Sequence, residues 1–237
     1  MINSIRKLLA QCTPAQQRQI FTELRETLGP HPFELRMNAK AEVIFEALER
    51  ASDLTLRGIR GIIGEAAFVL EVIPKLTRWH NVPFSGDHPY DAVLRDANGD
   101  VRVQCKMQRR ERGLPLIRKG FPIVEVQRTR TGKKKGQATR PYRVGEFDIL
   151  AVCMEPSKGQ WDSFMYAPEP WLYRRQMDPK LIDIMQPVSL TPDDVWTNDF
   201  DVAVRRLRSK QPRPGDRRLP AAARTKRRQK RSQKASR

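Results

Sequence analysis

Asp91, Gln104, Lys106 and Glu65 are side chains of the types that hydrolyse phosphodiester bonds around a divalent metal. Asp91 follows His88-Pro89-Tyr90 and opens an alternating run, Tyr90 to Leu94. Gln104 and Lys106 stand two apart on the run returning from the Asp96-Ala97-Asn98-Gly99-Asp100 turn. In a strand that spacing puts both on one face and turns Cys105 to the other. Glu65 lies upstream between Gly64 and Ala66, with Glu71 on the same helix as its alternative. Mg²⁺ prefers hard oxygen ligands and keeps several waters. A lysine beside it can hold the attacking water or help to deprotonate it, while the metal offsets charge developing on the phosphate. The plainer reading of Asp91 and Lys106 is a cross-strand ion pair on a solvated hairpin, which stabilises little.

The elements that must position these groups follow from periodicity. Thr13-Pro14 starts a helix carrying Ile20, Phe21 and Leu24, which Gly29-Pro30 ends. A second helix is expected over Ala39 to Ala51, with Val43, Ile44, Phe45 and Leu48 inward. A third, from Gly58, has Ile59, Ile62, Ile63, Ala66, Ala67 and Leu70 as an apolar stripe and breaks near Pro74. Asn98-Gly99 marks a hairpin turn, and Val101, Val103 and Cys105 alternate on the return strand. Pro122 to Gln127 reads as a strand, and Phe147 to Met154 as one buried on both faces. Ser163 to Tyr166 adds an edge strand, and Thr191-Pro192-Asp193-Asp194 caps a last helix through Val202 toward Leu207. Trp161, Trp171 and Trp196 read as packing residues. No internal repeat is evident.

At these residues the chain resembles the PD-(D/E)xK nuclease superfamily, which has the restriction-endonuclease-like fold. The match runs through Glu65, Pro89-Tyr90-Asp91, Gln104-Cys105-Lys106 and the strand FDILAV, spanning Gly58 to Met154. Two departures stand out: Tyr90 separates Pro89 from Asp91, and Gln104 replaces the usual acid, as in QxK members, removing one charge and weakening metal affinity. The resemblance implies an α/β fold with a mixed four-stranded core sheet flanked by helices. It also implies that Asp91 binds the metal, that Gln104 contributes its amide oxygen, and that the Cys105 carbonyl completes the inner shell. Lys106 then serves the nucleophilic water, and Glu65 orients it or binds metal through water. Asp148 is expected to be structural. The implied activity is a Mg²⁺-dependent endodeoxyribonuclease, with Mn²⁺ as a substitute, leaving a 5′-phosphate and a 3′-hydroxyl. Site-specific cleavage of the restriction or homing type ranks ahead of repair or junction resolution, and a non-catalytic DNA-binding protein is the competing class.

Charge supports the same partner. The 237 residues hold 45 Lys+Arg against 27 Asp+Glu, a net of +18. Residues 102–143 carry +12 and residues 205–237 carry +14, leaving −8 on the rest. Two basic segments on an acidic body fit a polyanion, here double-stranded DNA. Candidate DNA contacts are Arg109, Arg110, Arg112, Lys119, Gln127, Arg128, Arg130, Lys133, Lys134, Lys135, Arg140 and Tyr142. Single-stranded RNA readers use aromatic stacking pairs that are missing here, so RNA ranks last.

Three widely spaced cysteines suit buried thiols, and three histidines lack metal-ligand spacing. No window reaches the roughly 18 apolar residues of a membrane span, and no signal peptide is seen. The expected location is a prokaryotic cytoplasm, with a nuclear role for the basic tail left open. No ATP-binding motif is present, so no nucleotide cofactor is expected. A homodimer follows if a palindromic site is cut on both strands. The expected organisation is a helical N-terminal region, 1–56, a nuclease domain with a helical extension, 57–204, and a disordered basic tail, 205–237.

Overall fold

The computed structural model describes residues 2–128, 133–134, 137–138, 141–210 and 212–214. The chain divides into two compact units, Met1–Arg57 and Gly58–Arg237. The first is built from α1 (Ile2–Gln11), α2 (Pro14–Leu28), α3 (Pro32–Met37) and α4 (Ala41–Glu49). Thr13 caps α2 in a reciprocal box with Gln16, and Pro14 fills the first helical position. Glu34 is buried and accepts the N–H groups of His31 and Ala41 at 2.9 and 2.6 Å, with Arg25 bonded to it.

Helical periodicity did not translate into burial. Val43 and Phe45, expected to face inward, are exposed, and so are Phe21 and Leu24 at helical spacing and Ile62, Ile63 and Leu70 of the apolar stripe. For Phe21, Leu24, Val43 and Phe45 the reason is size, since a unit of 57 residues has too little interior to cover every apolar face.

Helix α5 (Asp53–Ala67) ends in a π-helical turn, Phe68–Val72, and a short 3₁₀ turn, Ile73–Lys75. The main sheet of the second unit has five strands. These are β1 (His80–Asn81), β2 (Ala92–Asp96), β3 (Gly99–Met107), then β10 (Ile149–Cys153) and β11 (Phe164–Pro168), side by side in that order. Strand β10 runs parallel to β3, and the other pairs are antiparallel. The sheet is mixed, as expected, but the two-residue β1 makes it five-stranded rather than four. Strand β10 is buried throughout, and β11 forms the expected edge.

Among the described residues, α-helices pack on one face of the sheet. There Phe68, Val72 and Ile73 meet Leu94, Val103, Ile149 and Ala151, together with Phe200, Ala203 and Val204 of the last helix. The other face is covered by strands and loops, with Val124, Tyr142, Phe147, Trp171, Ile182 and Trp196 packed on Leu150 and Val152. The expected flanking by helices therefore holds for one side of the sheet. Among the described residues no helix is long and apolar enough to cross a membrane.

Between β3 and β10 the chain makes β4 (Arg110–Glu111), β5 (Leu114–Pro115), β6 (Ile117–Arg118), β7 (Phe121–Glu125), β8 (Lys133–Lys134) and β9 (Gln137–Ala138). Strand β7 also pairs with β12 (Met185–Pro187). The first four form two hairpins of equal register, Arg110↔Pro115 with Glu111↔Leu114, then Ile117↔Pro122 with Arg118↔Phe121. A tandem repeat underlies them, correcting the reading that none exists. Arg110-Glu111-Arg112-Gly113-Leu114-Pro115-Leu116 and Ile117-Arg118-Lys119-Gly120-Phe121-Pro122-Ile123 share the pattern basic-Gly-apolar-Pro-apolar from their third residue. Three backbone hydrogen bonds close a ring at their base: Leu116 to Arg109 at 2.8 Å, Ile123 to Leu116 at 3.0 Å, and Arg109 to Ile123 at 2.8 Å.

The last helix starts later than expected. Asp193 accepts the N–H groups of Val195 and Trp196 in a turn, and Asp199 caps α7 (Phe200–Arg208) after a four-residue α6 (Glu155–Lys158). Arg205 to Arg208 thus belong to that helix and not to a tail. Arg208 bonds both Asp96 oxygens, at 2.6 and 2.7 Å, which ties α7 to the β2–β3 turn. Residues 215–237 of the expected tail lie outside the described residues.

Candidate active site

Strand alternation sets the geometry. Gln104 and Lys106 lie beside Leu150 and Val152 of β10, while Cys105 joins Val103 in the helix-side core. Asp91 stands just before β2, where its N–H still donates to Val103 O at 2.8 Å. Upstream the chain turns away through Pro89, and Tyr90, His88 and Phe84 pack as an aromatic cluster with centroids 5.0 to 5.4 Å apart. The Cys105 N–H therefore has no ladder carbonyl opposite and donates to Asp91 Oδ2 at 2.8 Å.

Gln104 is 1% exposed, and its Nε2 donates to Cys105 O at 2.9 Å and also to Asp91 Oδ2. The Asp91 carboxylate, the Gln104 amide and the Cys105 carbonyl are thus brought together, with the amide nitrogen of Gln104, and not the oxygen expected, facing the other two. Burial raises the Asp91 carboxyl above its ordinary value, against the pull of Lys106 and of the Cys105 N–H. Glu65, from α5, is half-buried and pushed up to about 7, by burial first and then by Asp91, with Lys106 opposing. The preceding residue, Gly64, packs against Cys153 of β10, so α5 lies close to the sheet here. Glu71 is exposed.

Lys106 Nζ lies over the Tyr142 ring, 5.5 Å from its centroid. Burial pulls the Lys106 pKa down, but Tyr142, Asp91 and Glu65 outweigh it and hold the value above normal. At neutral pH the group is an ammonium that donates and does not accept a proton. Asp148 grips Arg102 through its backbone N–H at 2.8 Å and its guanidinium at 2.8 and 2.9 Å. Gln108, two residues beyond Lys106, is buried with neither amide atom bonded among the described residues. Nothing in its residue type singled it out.

The expected DNA contacts separate into groups. Arg109 and Gln127 both bond Glu125; Arg110 holds both oxygens of Glu155 at 2.7 Å; Arg128 bonds Glu146 at 2.9 Å and faces Tyr142 at 5.5 Å. Arg112 and Lys119 occupy the two hairpin turns. Lys133 and Lys134 pair in backbone register with Ala138 and Gln137, while Arg130, Lys135 and Arg140 lie outside the described residues. Among the described residues no three His, Cys, Asp or Glu side chains are grouped to hold a metal.

The Glu65 shift has a measurable consequence. The fold binds this proton more tightly than the unfolded chain, so stability is lost as pH rises from about 4.5 toward 7. In EDTA, Glu65→Gln is expected to stabilise the protein at pH 8 by about 1–2 kcal/mol, solvent screening of a half-buried group included, and to change little near pH 4. Urea melts at the two pH values check this; an equal effect at both would show that Glu65 does not hold the proton.

No family model matches the chain, and no curated protein sequence matches it. Among solved structures, a bacterial homing endonuclease is similar at 24% identity, over 50% of this chain and 70% of that one, with a TM-score of 0.33. That likeness is too slight to assign either fold or activity.

Proposed function

We propose that this chain is a metal-dependent endodeoxyribonuclease of the PD-(D/E)xK type with a QxK site, cutting double-stranded DNA at specific sequences. The observation that carries the reading is the convergence of Asp91 Oδ2, the Gln104 amide and Cys105 O beside a charged Lys106, with Glu65 close enough to feel the charges of Asp91 and Lys106. The donor set suits a hard cation, because a half-turn of the Gln104 amide replaces its N–H₂ by Oε1 and leaves three oxygens facing one point. Mg²⁺ bound there, or Mn²⁺ in its place, supplies a Lewis acid for the phosphate and an ionised water.

The remaining roles belong to the chain. Asp91 is oriented by the Cys105 N–H and cannot swing away without orphaning it. Lys106, lying over the Tyr142 ring, donates to the attacking water or to a phosphate oxygen, where it stabilises negative charge as it develops. Glu65 titrates near neutrality and orients that water. Breaking the P–O3′ bond leaves the 5′-phosphate and 3′-hydroxyl. Cutting a palindrome on both strands calls for a homodimer.

Incubating the protein with plasmid and genomic DNA in Mg²⁺, then sequencing the fragment ends, tests the reading. Discrete ends are expected. Scattered ends would favour a repair or structure-directed nuclease, and intact DNA in both Mg²⁺ and Mn²⁺ would leave a DNA-binding protein without catalysis.

Gln104→Glu tests the ligand set without cleavage. It adds a carboxylate where the amide now sits, so affinity for Mn²⁺ or Ca²⁺ measured by calorimetry should rise about tenfold, the equivalent of about 1.4 kcal/mol. In EDTA the variant should melt earlier than wild type, because three acidic groups then crowd without a cation. Unchanged metal affinity would place Gln104 outside the metal's shell.

A further inference from the structure

The tandem hairpins between β3 and β7 carry features that the catalytic geometry does not use. In each copy the third residue is basic and lies at positive φ, +52° for Arg112 and +53° for Lys119, and a glycine at +77° or +80° follows. Both central turn positions at positive φ make a tight two-residue turn that normally selects Asn or Gly first. Here a long cation is set at each apex instead. The fifth and seventh residues of each copy part ways. Leu116 and Ile123 are 7% and 3% exposed and pin the hairpins to the core, whereas Leu114 and Phe121 are 70% and 37% exposed.

Each apex therefore offers one cation and, two residues on, one outward apolar side chain. The deeper Arg109, Arg110 and Arg128 are each bonded to a carboxylate. From this pattern we propose that the two hairpins are a paired reader of the DNA major groove. Arg112 and Lys119 contact phosphates at its rim, and Leu114 and Phe121 meet thymine methyl groups inside. A two-stranded ribbon is of the width that the groove admits, and thymine methyls are its apolar feature. A second copy of the chain is the poorer occupant, since a two-fold contact through the tips sets like charges together. The inference rests on the DNA partner of the proposed function and not on its catalytic step.

The test is duplex binding by the full chain in EDTA, followed by fluorescence anisotropy across a salt series. Arg112→Asn/Lys119→Asn keeps residues that accept positive φ, so the turns survive while two charges leave. That variant should bind about tenfold more weakly and lower the slope of log affinity against log salt by about two. Leu114→Ser/Phe121→Ser should weaken binding several-fold with the slope unchanged. A duplex with uracil in place of thymine should weaken wild type and leave the serine variant as it was.

Binding within twofold of wild type by both double variants overturns the proposal, provided circular dichroism shows them folded. So does a serine variant that keeps its DNA affinity but loses self-association by light scattering, since the tips would then be a protein contact. Full wild-type affinity for the uracil duplex takes the tips out of the major groove and overturns it too. Wild type that binds and responds as expected, yet never cuts, sinks the nuclease reading and leaves this one standing.

Discussion

Asp91→Asn is expected to abolish metal-dependent cleavage while leaving the protein folded and able to bind DNA. The asparagine oxygen can still accept the Cys105 N–H and the Gln104 amide, as Asp91 Oδ2 does, so the local network has an acceptor in place. The charge is lost. With Glu65 protonated over much of the range below pH 7, Asp91 is the main source of negative charge at the point where the oxygens converge. Without it the site keeps only neutral donors, which bind Mg²⁺ poorly. Cleavage should fall by at least about 10³-fold, which is about 4 kcal/mol of barrier. Calorimetry should show Mn²⁺ affinity falling with it. Activity within tenfold of wild type would remove Asp91 from the chemistry and take the proposed function with it.

Lys106→Met separates catalysis from binding. Methionine fills the partly buried stem and leaves the Tyr142 ring packed against Phe147, 5.4 Å between centroids. The loss is a single ammonium aimed at developing charge, for which about 10²–10³-fold in rate is typical. Affinity for duplex DNA in Ca²⁺ or EDTA should stay within a few-fold. A second signature follows from the neighbours, because Lys106 holds the Glu65 carboxyl down. In its absence that group should titrate above 7, so any residual activity shifts its pH dependence alkaline. A lysine acting as general base predicts instead a wild-type rate that climbs with pH toward the lysine's own raised value. A flat wild-type profile above pH 8 therefore supports the charged form.

What could be read from the chain was what is local in it. Strand alternation alone set Gln104 and Lys106 on one face, and the Phe147 to Met154 run announced a strand buried on both sides. The Asn98-Gly99 turn came within one residue: Ala97 and Asn98 sit between the strands, and Gly99 at φ +114° opens β3. Pairings across long separations were not legible. Arg110 finds Glu155 and Arg102 finds Asp148, 45 and 46 residues away, and no spacing rule points to either. The last helix was misread because Thr191-Pro192-Asp193 imitates a cap that the chain spends on a turn. The seven-residue repeat stayed hidden for a different reason. Its first two positions differ in charge and polarity, and only the shared backbone of the two turns shows that the remaining five correspond.

Cys105 presents its peptide group to the site and its thiol to the opposite side of the sheet. Burial drives that thiol well above its ordinary range, and Cys153 alongside is pushed up to about 11. Neither is an effective thiolate at physiological pH, and neither is open to a peroxide or an alkylating agent. The carbonyl that faces the proposed metal is thus supplied by a residue whose own reactive atom is sealed off. The proposed cleavage should be indifferent to oxidants that act on exposed thiols near the site, although a cysteine lies at its centre.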